Sequence, residues 1–285
     1  MKRNEIHIRD PFVLTEDGVY YLYGTGGTES WGDHATGLDV YVSRDLESWE
    51  GPYVAFMPPE GFWADRNFWA PEVHKYRGGY YMFVSFKNAE KCRGTQILRA
   101  DSPMGPFVVH SDGPVTPPDW EALDGTLYVD ETGAPYLIFC HEWVQVEDGE
   151  MCVLPLTADL RAAAGEPVIL FHASDPVWAD KDAKRYVTDG PFLYRTKAGR
   201  LVMLWSTGHH GEYCEALCYS ESGSIYGPWV HEERLLFEKD GGHGMISTDN
   251  AGDLKLILHQ PNSTPDERPK LFDIVEWDNT LYRKE

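Results

Sequence analysis

The chain has 285 residues and a formal net charge of −21, with 42% hydrophobic and 25% charged residues. This composition is typical of a globular protein, and we expect residues 1–285 to form a single domain. The acidity argues against nucleic acid and membrane partners, because the phosphates of both attract Lys and Arg. The N-terminus lacks the apolar segment of a signal peptide, which predicts a cytoplasmic protein, or a secreted one whose leader has been removed.

The first predicted unit is residues 9–25, a strand, a turn at Asp17-Gly18 and a second strand rich in Tyr and Val. The same plan recurs farther along the chain, and in each copy a second pair of strand-like segments follows. The four later copies begin the same pattern at residues 69–84, 123–139, 188–204 and 242–257. A helix is predicted only at residues 159–164.

The copies repeat at a regular interval. If Asp10, Ala70, Asp124, Asp189 and Gly242 are equivalent, the intervals are 60, 54, 65 and 53 residues. Four strands repeated five times predict an all-β fold, a five-bladed β-propeller with four antiparallel strands per blade. A β-sandwich also has many short strands, but it does not repeat at this interval.

Three of the five copies place an aspartate at this position, namely Asp10, Asp124 and Asp189. The innermost strands of a propeller line its central channel, so we expect these three carboxylates to meet at one end of the channel. Each aspartate could instead cap a turn before its strand. Because like charges raise one another's pKa, three carboxylates at the same point of the repeat favour a catalytic group over three turn caps.

The motifs around these residues resemble those of glycoside hydrolase family 43. They are Arg9-Asp10-Pro11, Asp124-Gly125, Asp189-Gly190-Pro191 and Gly242-His243-Gly244. The resemblance implies a five-bladed propeller that inverts the anomeric centre and acts on polysaccharides containing arabinose or xylose. We therefore expect an enzyme that binds an oligosaccharide or polysaccharide and releases terminal sugars, of the α-L-arabinofuranosidase or β-D-xylosidase type.

Other functions stay open at this point. Within the same family the alternatives are an endo-arabinanase and a galactofuranosidase, and outside catalysis a propeller that binds sugar without cleaving it. A fructosidase of related architecture would retain configuration and use a Glu acid, which the Asp-Gly-Pro motif does not favour. No feature of the sequence indicates an oligomeric state.

The resemblance also assigns roles to the three aspartates. It implies that Asp10 is the general base that activates water, that Asp124 tunes the acid, and that Asp189 is the general acid. The family ordinarily has Glu at the position of Asp189, and the shorter side chain reduces its reach toward the glycosidic oxygen. Inverting hydrolysis needs one ionised and one protonated carboxyl group, roughly 6.5–9.5 Å apart.

Further residues are candidates for substrate binding. Glu142 follows a predicted inner strand and could supplement the shortened acid, and Trp143 lies beside it. Trp69 is a candidate floor for the sugar ring, because aromatic faces stack on apolar sugar faces. Trp31 and Phe62 lie in longer predicted loops and could line a wall that closes one end of the pocket, which favours exo action.

Two residues owe their candidate roles to the resemblance alone. It implies that His243 enters the central channel and holds a hydrated calcium ion, with water supplying most ligands because calcium prefers oxygen. A buried histidine without a metal is the alternative. The resemblance also implies that Arg268 contacts the carboxylates or the sugar, where its charge would offset theirs; the alternative is a surface ion pair.

Overall fold

The computed structural model describes residues 1–26 and 37–284. Its strands form five antiparallel sheets, each of four strands in chain order. Blade 1 contains β1 (Ile8–Glu16), β2 (Val19–Gly26), β3 (Leu38–Ser43) and β4 (Trp49–Phe56). Blade 2 contains β5 (Arg66–Tyr76), β6 (Gly79–Lys87), β7 (Gly94–Ala100) and β8 (Val108–Val109). Blade 3 contains β9 (Ala122–Val129), β10 (Pro135–His141), β11 (Glu150–Pro155) and β12 (Val168–His172). Blade 4 contains β13 (Asp189–Arg195), β14 (Leu201–His209), β15 (Glu212–Ser220) and β16 (Trp229–His231). Blade 5 contains β17 (Gly242–Thr248), β18 (Leu254–Gln260), β19 (Arg268–Trp277) and β20 (Thr280–Arg283).

The first strand of each blade lies innermost. β1 contacts β5, β5 contacts β9, β9 contacts β13, β13 contacts β17, and β17 returns to contact β1. This closed ring of inner strands confirms the predicted five-bladed propeller. The middle of each second strand is apolar and buried, as in β14, where Leu201 to Trp205 are at most 1% exposed. The core therefore lies between adjacent blades, and the inner strands surround the channel.

The helix predicted at residues 159–164 is wrong. That segment is a turn, in which Leu160 N–H donates to Thr157 O and Thr157 N–H donates to Ala162 O. Thr157 and Asp159 side chains accept the Arg161 backbone N–H, and such local bonds compete with a helix. The α-helix in the described part of the chain is instead α1 (Trp143–Val146). No helix there is long and apolar enough to cross a membrane.

Candidate active site

One residue per blade has a left-handed backbone at the same point of the inner strand. The φ angles are 51° for Asp10, 47° for Ala70, 57° for Asp124, 52° for Gly190 and 52° for His243. Each lies at an irregularity in the pairing of the inner strand with the second strand, or opposite one. Left-handed backbone is unfavourable for residues other than glycine, and such strain is concentrated at functional sites. The bulged positions thus mark one end of the channel.

These angles correct the predicted equivalence of the repeats. Asp10, Ala70 and Asp124 are equivalent as predicted, but blades 4 and 5 place Gly190 and His243 at the bulge, one residue later than Asp189 and Gly242. A side chain at position 190 would have its Cβ 2.7 Å from Cγ and Cδ2 of His243. Only glycine fits there, so the carboxylate of blade 4 comes from the preceding residue, Asp189.

Asp10 lies in a buried, polar environment. Thr25 Oγ1 donates to its Oδ2 at 2.6 Å, and His243 Nδ1 lies 3.1 Å from its Oδ1. Burial by itself would raise the pKa of Asp10, but the charge and hydrogen bond of His243, with a smaller effect of Arg9, hold that pKa well below its usual range. His259 accepts the Asp10 backbone N–H at 3.2 Å. Asp10 is therefore ionised across the neutral pH range.

Asp124 and Asp189 have the opposite shift. Burial raises the pKa of Asp124 to about 6, and the charge of Asp10 adds to this effect while His243 opposes it. Burial, followed by the charge of Asp124, raises the pKa of Asp189 well above its ordinary value. Asp189 still accepts a hydrogen bond of 3.0 Å from the Tyr213 hydroxyl. The site thus combines a carboxyl group of lowered pKa with carboxyl groups of raised pKa, the separation that acid–base catalysis uses.

His243 is held by groups from blade 4. Its backbone N–H donates to Ser206 Oγ at 2.6 Å, and Ser206 donates to Glu215 Oε2 at 2.7 Å. Its ring is buried, and the carboxylates around it, Asp10 foremost, outweigh the effect of burial and raise the pKa of His243 to about 10.

The same geometry tests whether His243 could hold calcium. Its Nδ1 faces Asp10 and Asp124, at 3.1 Å and 3.7 Å, so one ring nitrogen already has carboxylate partners. A metal ligand must be a neutral imidazole, and calcium prefers oxygen ligands. The residues therefore do not fit direct coordination of calcium by His243. An ion held through water stays a prediction, and nothing below depends on it.

The carboxylates line a pocket that is open to solvent. Residues from all five blades contribute to it. The lining comprises Arg9, Asp10, Thr25, Trp69, Leu123, Asp124, Glu142, Trp143, Asp189, Tyr213 and His243. Besides Asp10 and Asp124, five predicted site residues line this pocket, namely Asp189, Trp69, Glu142, Trp143 and His243. The channel end therefore carries most of the predicted site.

Beside the three aspartates, an ion pair packs against an aromatic ring of the pocket wall. Arg93 Nη1 donates to Glu142 Oε2 in a buried ion pair, and its guanidinium lies 4.3 Å from the Trp69 ring. Its Nη2 donates to Asn67 Oδ1 at 3.2 Å. Burial raises the pKa of Glu142 although Arg93 opposes this. Trp69 is therefore fixed at the pocket wall through Arg93.

Two of the predicted residues, Arg268 and Phe62, lie away from the pocket. The Arg268 guanidinium bonds the backbone oxygens of Asn4, Pro265 and Glu267 and contacts His7 Nε2, so it does not reach the carboxylates. Phe62 packs edge-on against Phe56, Phe68 and Phe86, with ring centroids 5.1–6.2 Å apart, and does not line the pocket. Trp31 lies outside the described residues.

Several residues that line the pocket, and Arg93 behind its wall, were not predicted. Arg9 takes the place expected for Arg268: it lines the pocket and donates to Asn262 O and Oδ1 at 3.0 Å and 2.6 Å. Its position beside Asp10 in the motif was a usable signal. Thr25, Arg93 and Tyr213 lie on second and third strands or their edges, and nothing in their local sequence distinguishes them from other strand residues.

The end of the propeller channel gathers carboxyl groups whose pKa values are shifted in opposite directions. This arrangement is typical of hydrolases that use acid–base catalysis. The family model of glycosyl hydrolases family 43 matches residues 5–280. The chain therefore belongs to glycosyl hydrolase family 43, which confirms the resemblance seen in the motifs.

The chain is also similar to individual members. It is 38% identical to the endo-arabinase of Bacteroides thetaiotaomicron VPI-5482, whose crystal structure matches with a TM-score of 0.89 over 98% of each chain. It is 25% identical to the extracellular endo-alpha-(1->5)-L-arabinanase 1 of Bacillus subtilis (strain 168), over 58% of this chain and 53% of that protein. It is 22% identical to xylosidase/arabinosidase 43A of Humicola insolens, over 81% of this chain and 80% of that protein. The match to the Bacillus subtilis arabinanase thus spans about half of that protein's length.

Proposed function

We propose that this protein is an inverting glycosidase that hydrolyses α-L-arabinofuranosyl linkages in arabinan-type substrates. The observation that carries the proposal is that Asp10, Asp124 and Asp189, from three different blades, line one pocket. His243 holds the pKa of Asp10 well below its ordinary value, whereas burial and the charge of Asp124 hold the pKa of Asp189 well above its own. A base and an acid with separated pKa values are what inverting hydrolysis needs.

In the proposed reaction, Asp189 donates its proton to the glycosidic oxygen as the bond from that oxygen to the anomeric carbon breaks. Asp10 accepts a proton from a water molecule, whose oxygen bonds to the anomeric carbon from the opposite face. The water thereby adds across the glycosidic bond with inversion. Asp10 ends protonated and Asp189 ionised, and proton exchange with solvent restores both.

The other pocket residues have supporting roles in this proposal. Asp124, whose Oδ2 accepts the Gly190 backbone N–H at 3.0 Å, keeps the neighbouring acid protonated. Trp69, fixed by Arg93, and Trp143 offer apolar faces to the sugar rings. Glu142 is engaged by Arg93, which favours Asp189 over Glu142 as the acid.

The substrate class is supported by similarity. Both the endo-arabinase structure, with 38% identity over nearly the whole chain, and the Bacillus subtilis arabinanase are named for arabinan. The same names support endo action. The exo action expected from the sequence depended in part on Phe62, which packs in the aromatic core.

Exo release of terminal arabinose or xylose is the second candidate. It is favoured by the match to xylosidase/arabinosidase 43A, which extends over 81% of this chain. The two modes differ in their early products: endo action yields oligosaccharides of mixed length, and exo action yields single sugars or one short product.

The test is hydrolysis of linear arabinan, together with nitrophenyl α-L-arabinofuranoside and β-D-xyloside, by the wild type, Asp10→Asn and Asp189→Asn. We expect arabinan turnover, with the product anomer inverted in proton NMR, and a loss of about 10²–10⁴-fold in each variant. Turnover that survives Asp189→Asn would mean that Glu142 or another group is the acid. Binding of arabinan without turnover in the wild type would make the protein a sugar-binding propeller.

A further inference from the structure

A second group of chemically competent side chains lies outside the carboxylate pocket. Asp180 follows blade 3 in the long connection to blade 4, His209 ends β14, and His210 begins the turn to β15. Among the described residues, this is the one group of three His, Cys, Asp or Glu side chains whose ligand atoms all lie within 4.8 Å of one another. We propose that these three residues bind a divalent transition metal ion, with Zn²⁺ as the defining example.

The distances support this site. Asp180 Oδ1 lies 3.2 Å from His209 Nδ1 and 3.2 Å from His210 Nδ1. Zinc binds imidazole nitrogen and carboxylate oxygen at about 2.0–2.2 Å in a tetrahedron, which puts neighbouring donor atoms about 3.3–3.5 Å apart. Two of the three separations are therefore close to those of such a tetrahedron, and the donor atoms of the two histidines lie within 4.8 Å of each other. A water molecule would take the fourth corner.

An unsatisfied polar atom is a second, independent observation. His209 Nδ1 is buried, and no described residue forms a hydrogen bond with it, although Asp180 Oδ1 is only 3.2 Å away. The ion pair thus has the distance but not the direction of a hydrogen bond. Burial of an unpaired nitrogen is costly, and a metal ion placed between the nitrogen and the carboxylate would remove that cost.

The surroundings hold the ligands in place. The other oxygen of Asp180 accepts the His210 backbone N–H at 2.7 Å, and the carbonyl of Asp180 accepts the Tyr186 hydroxyl at 2.9 Å. His209 packs edge-on against Trp178, whose ring stacks on Trp205. Ligands fixed by neighbouring bonds are typical of metal sites.

The turn at His210 also supports a role of this histidine as a metal ligand. His209 pairs with Glu212 across a two-residue turn of His210 and Gly211, with φ angles of 51° and 85°. Asn or Gly is the preferred residue at the first position of such a turn. A histidine is used here although its side chain is 79% exposed, so the fold itself does not require the imidazole.

The site carries ligands of the chemistry that transition metals prefer. Two imidazoles and one carboxylate suit zinc, nickel and copper and not calcium, which prefers oxygen. An ion here would link two segments of the chain, the connection that leads to Asp189 and the hairpin that leads to Tyr213. Tyr213 in turn donates a hydrogen bond to Asp189. The proposal is independent of the glycosidase activity.

The experiment is titration calorimetry of the metal-free, tag-free full chain with Zn²⁺, in the wild type, His210→Asn and Asp180→Asn. His210→Asn is the sharpest variant, because Asn suits the left-handed turn and the fold stays intact. His172→Ala is the matched control. His172 lies 3.6 Å from one oxygen of Glu150 and His141 lies 2.7 Å from the other, but among the described residues these three do not bring their ligand atoms within 4.8 Å of one another.

We expect one Zn²⁺ per chain in the wild type and in His172→Ala, and an affinity lower by about 100-fold or more in His210→Asn and Asp180→Asn. Co²⁺ should give the intense visible absorption of a tetrahedral site in the wild type and lose it in His210→Asn. Absence of saturable Zn²⁺ binding in the wild type, or equal binding in His210→Asn, would overturn the proposal. A loss of binding in His172→Ala equal to that in His210→Asn would overturn it as well.

Discussion

The backbone N–H of Gly190 donates a hydrogen bond of 3.0 Å to Asp124 Oδ2. This bond joins the inner strands of blades 3 and 4 and places the Asp124 carboxylate against the residue that follows Asp189. Asp124 itself is held by blade 2, because its backbone N–H donates to Ser85 Oγ on β6 at 3.0 Å. The backbone contact therefore fixes the position of the Asp124 carboxylate, whose charge raises the pKa of Asp189 in addition to the effect of burial.

Replacing Asp124 tests this dependence. Asp124→Asn removes a negative charge that raises the pKa of Asp189, so Asp189 should lose its proton at a lower pH. We expect the alkaline limb of kcat/KM to move to lower pH and the maximum to fall by about 10²-fold. The measurement is a pH profile on the best arabinofuranosyl substrate. An alkaline limb that does not move would mean that another group is the acid.

Replacing Tyr213 should move the same limb in the opposite direction. The Tyr213 hydroxyl donates to Asp189 Oδ2 at 3.0 Å, and this bond favours the ionised carboxylate and lowers the pKa of Asp189. Tyr213→Phe should therefore extend activity to higher pH with a smaller loss of kcat than Asp124→Asn. Opposite displacements in the two variants identify Asp189 as the titrating acid, and displacements in the same direction contradict that assignment.

Breaking the Arg93–Glu142 pair should destabilise the fold. Arg93 and Glu142 are 6% and 8% exposed, and Arg93→Met would leave the Glu142 carboxylate buried without its partner. We expect the free energy of unfolding to fall by roughly 3 kcal/mol, measured by denaturant titration.

The double variant Arg93→Met, Glu142→Gln is the control for that loss. It removes the unpaired charge as well, so it should recover a substantial part of the stability lost in Arg93→Met. If the single and double variants are equally unstable, the loss comes from packing against Trp69 and not from the buried charge.

Glu215 should make stability depend on pH. Burial, opposed by Ser206, His243 and Gly244, raises the pKa of this carboxyl from 4.5 to about 7. The folded chain then holds this proton more tightly than the unfolded chain between pH 4.5 and 7, so the free energy of unfolding falls as pH rises through that window.

Glu215→Gln removes this titration. Its carbonyl can still accept the bonds that Ser206 and the Gly244 N–H give to Glu215 Oε2. Relative to the wild type, the variant should gain stability by up to roughly 3 kcal/mol between pH 4.5 and 7. Denaturant titrations at both ends of the window measure this. A constant difference between the two proteins across the window would contradict the raised pKa.

The fold was predictable because its signals are local. Alternating Tyr and Val strands, Asp-Gly turns and a repeat near 57 residues require no knowledge of long-range contacts, and the five blades follow from them. The helix predicted at residues 159–164 failed because side-chain bonds from Thr157 and Asp159 stabilise a turn instead. That competition is decided by geometry and not by helix propensity.

The site was predictable in its charged residues and not in their partners. Asp10, Asp124, Asp189 and His243 stand in motifs, and all four line one pocket. Arg268 shows the limit, because a position after the last inner strands does not reveal which way a long side chain extends. It bonds the N-terminal segment and its own loop, whereas Arg9 lies beside the carboxylates.

The sequence by itself determined the number of blades, the family and the acidic residues at the channel end, since each depends on residue type and spacing along the chain. Tertiary structure alone decided the register of those residues at the bulge. Gly190 occupies the left-handed position because His243 leaves no room for a Cβ, which moves the carboxylate of blade 4 to Asp189. The tertiary structure also decided which carboxyl pKa values rise and which fall. Burial, and the approach of charges from different blades, exist only once the ring of blades has closed.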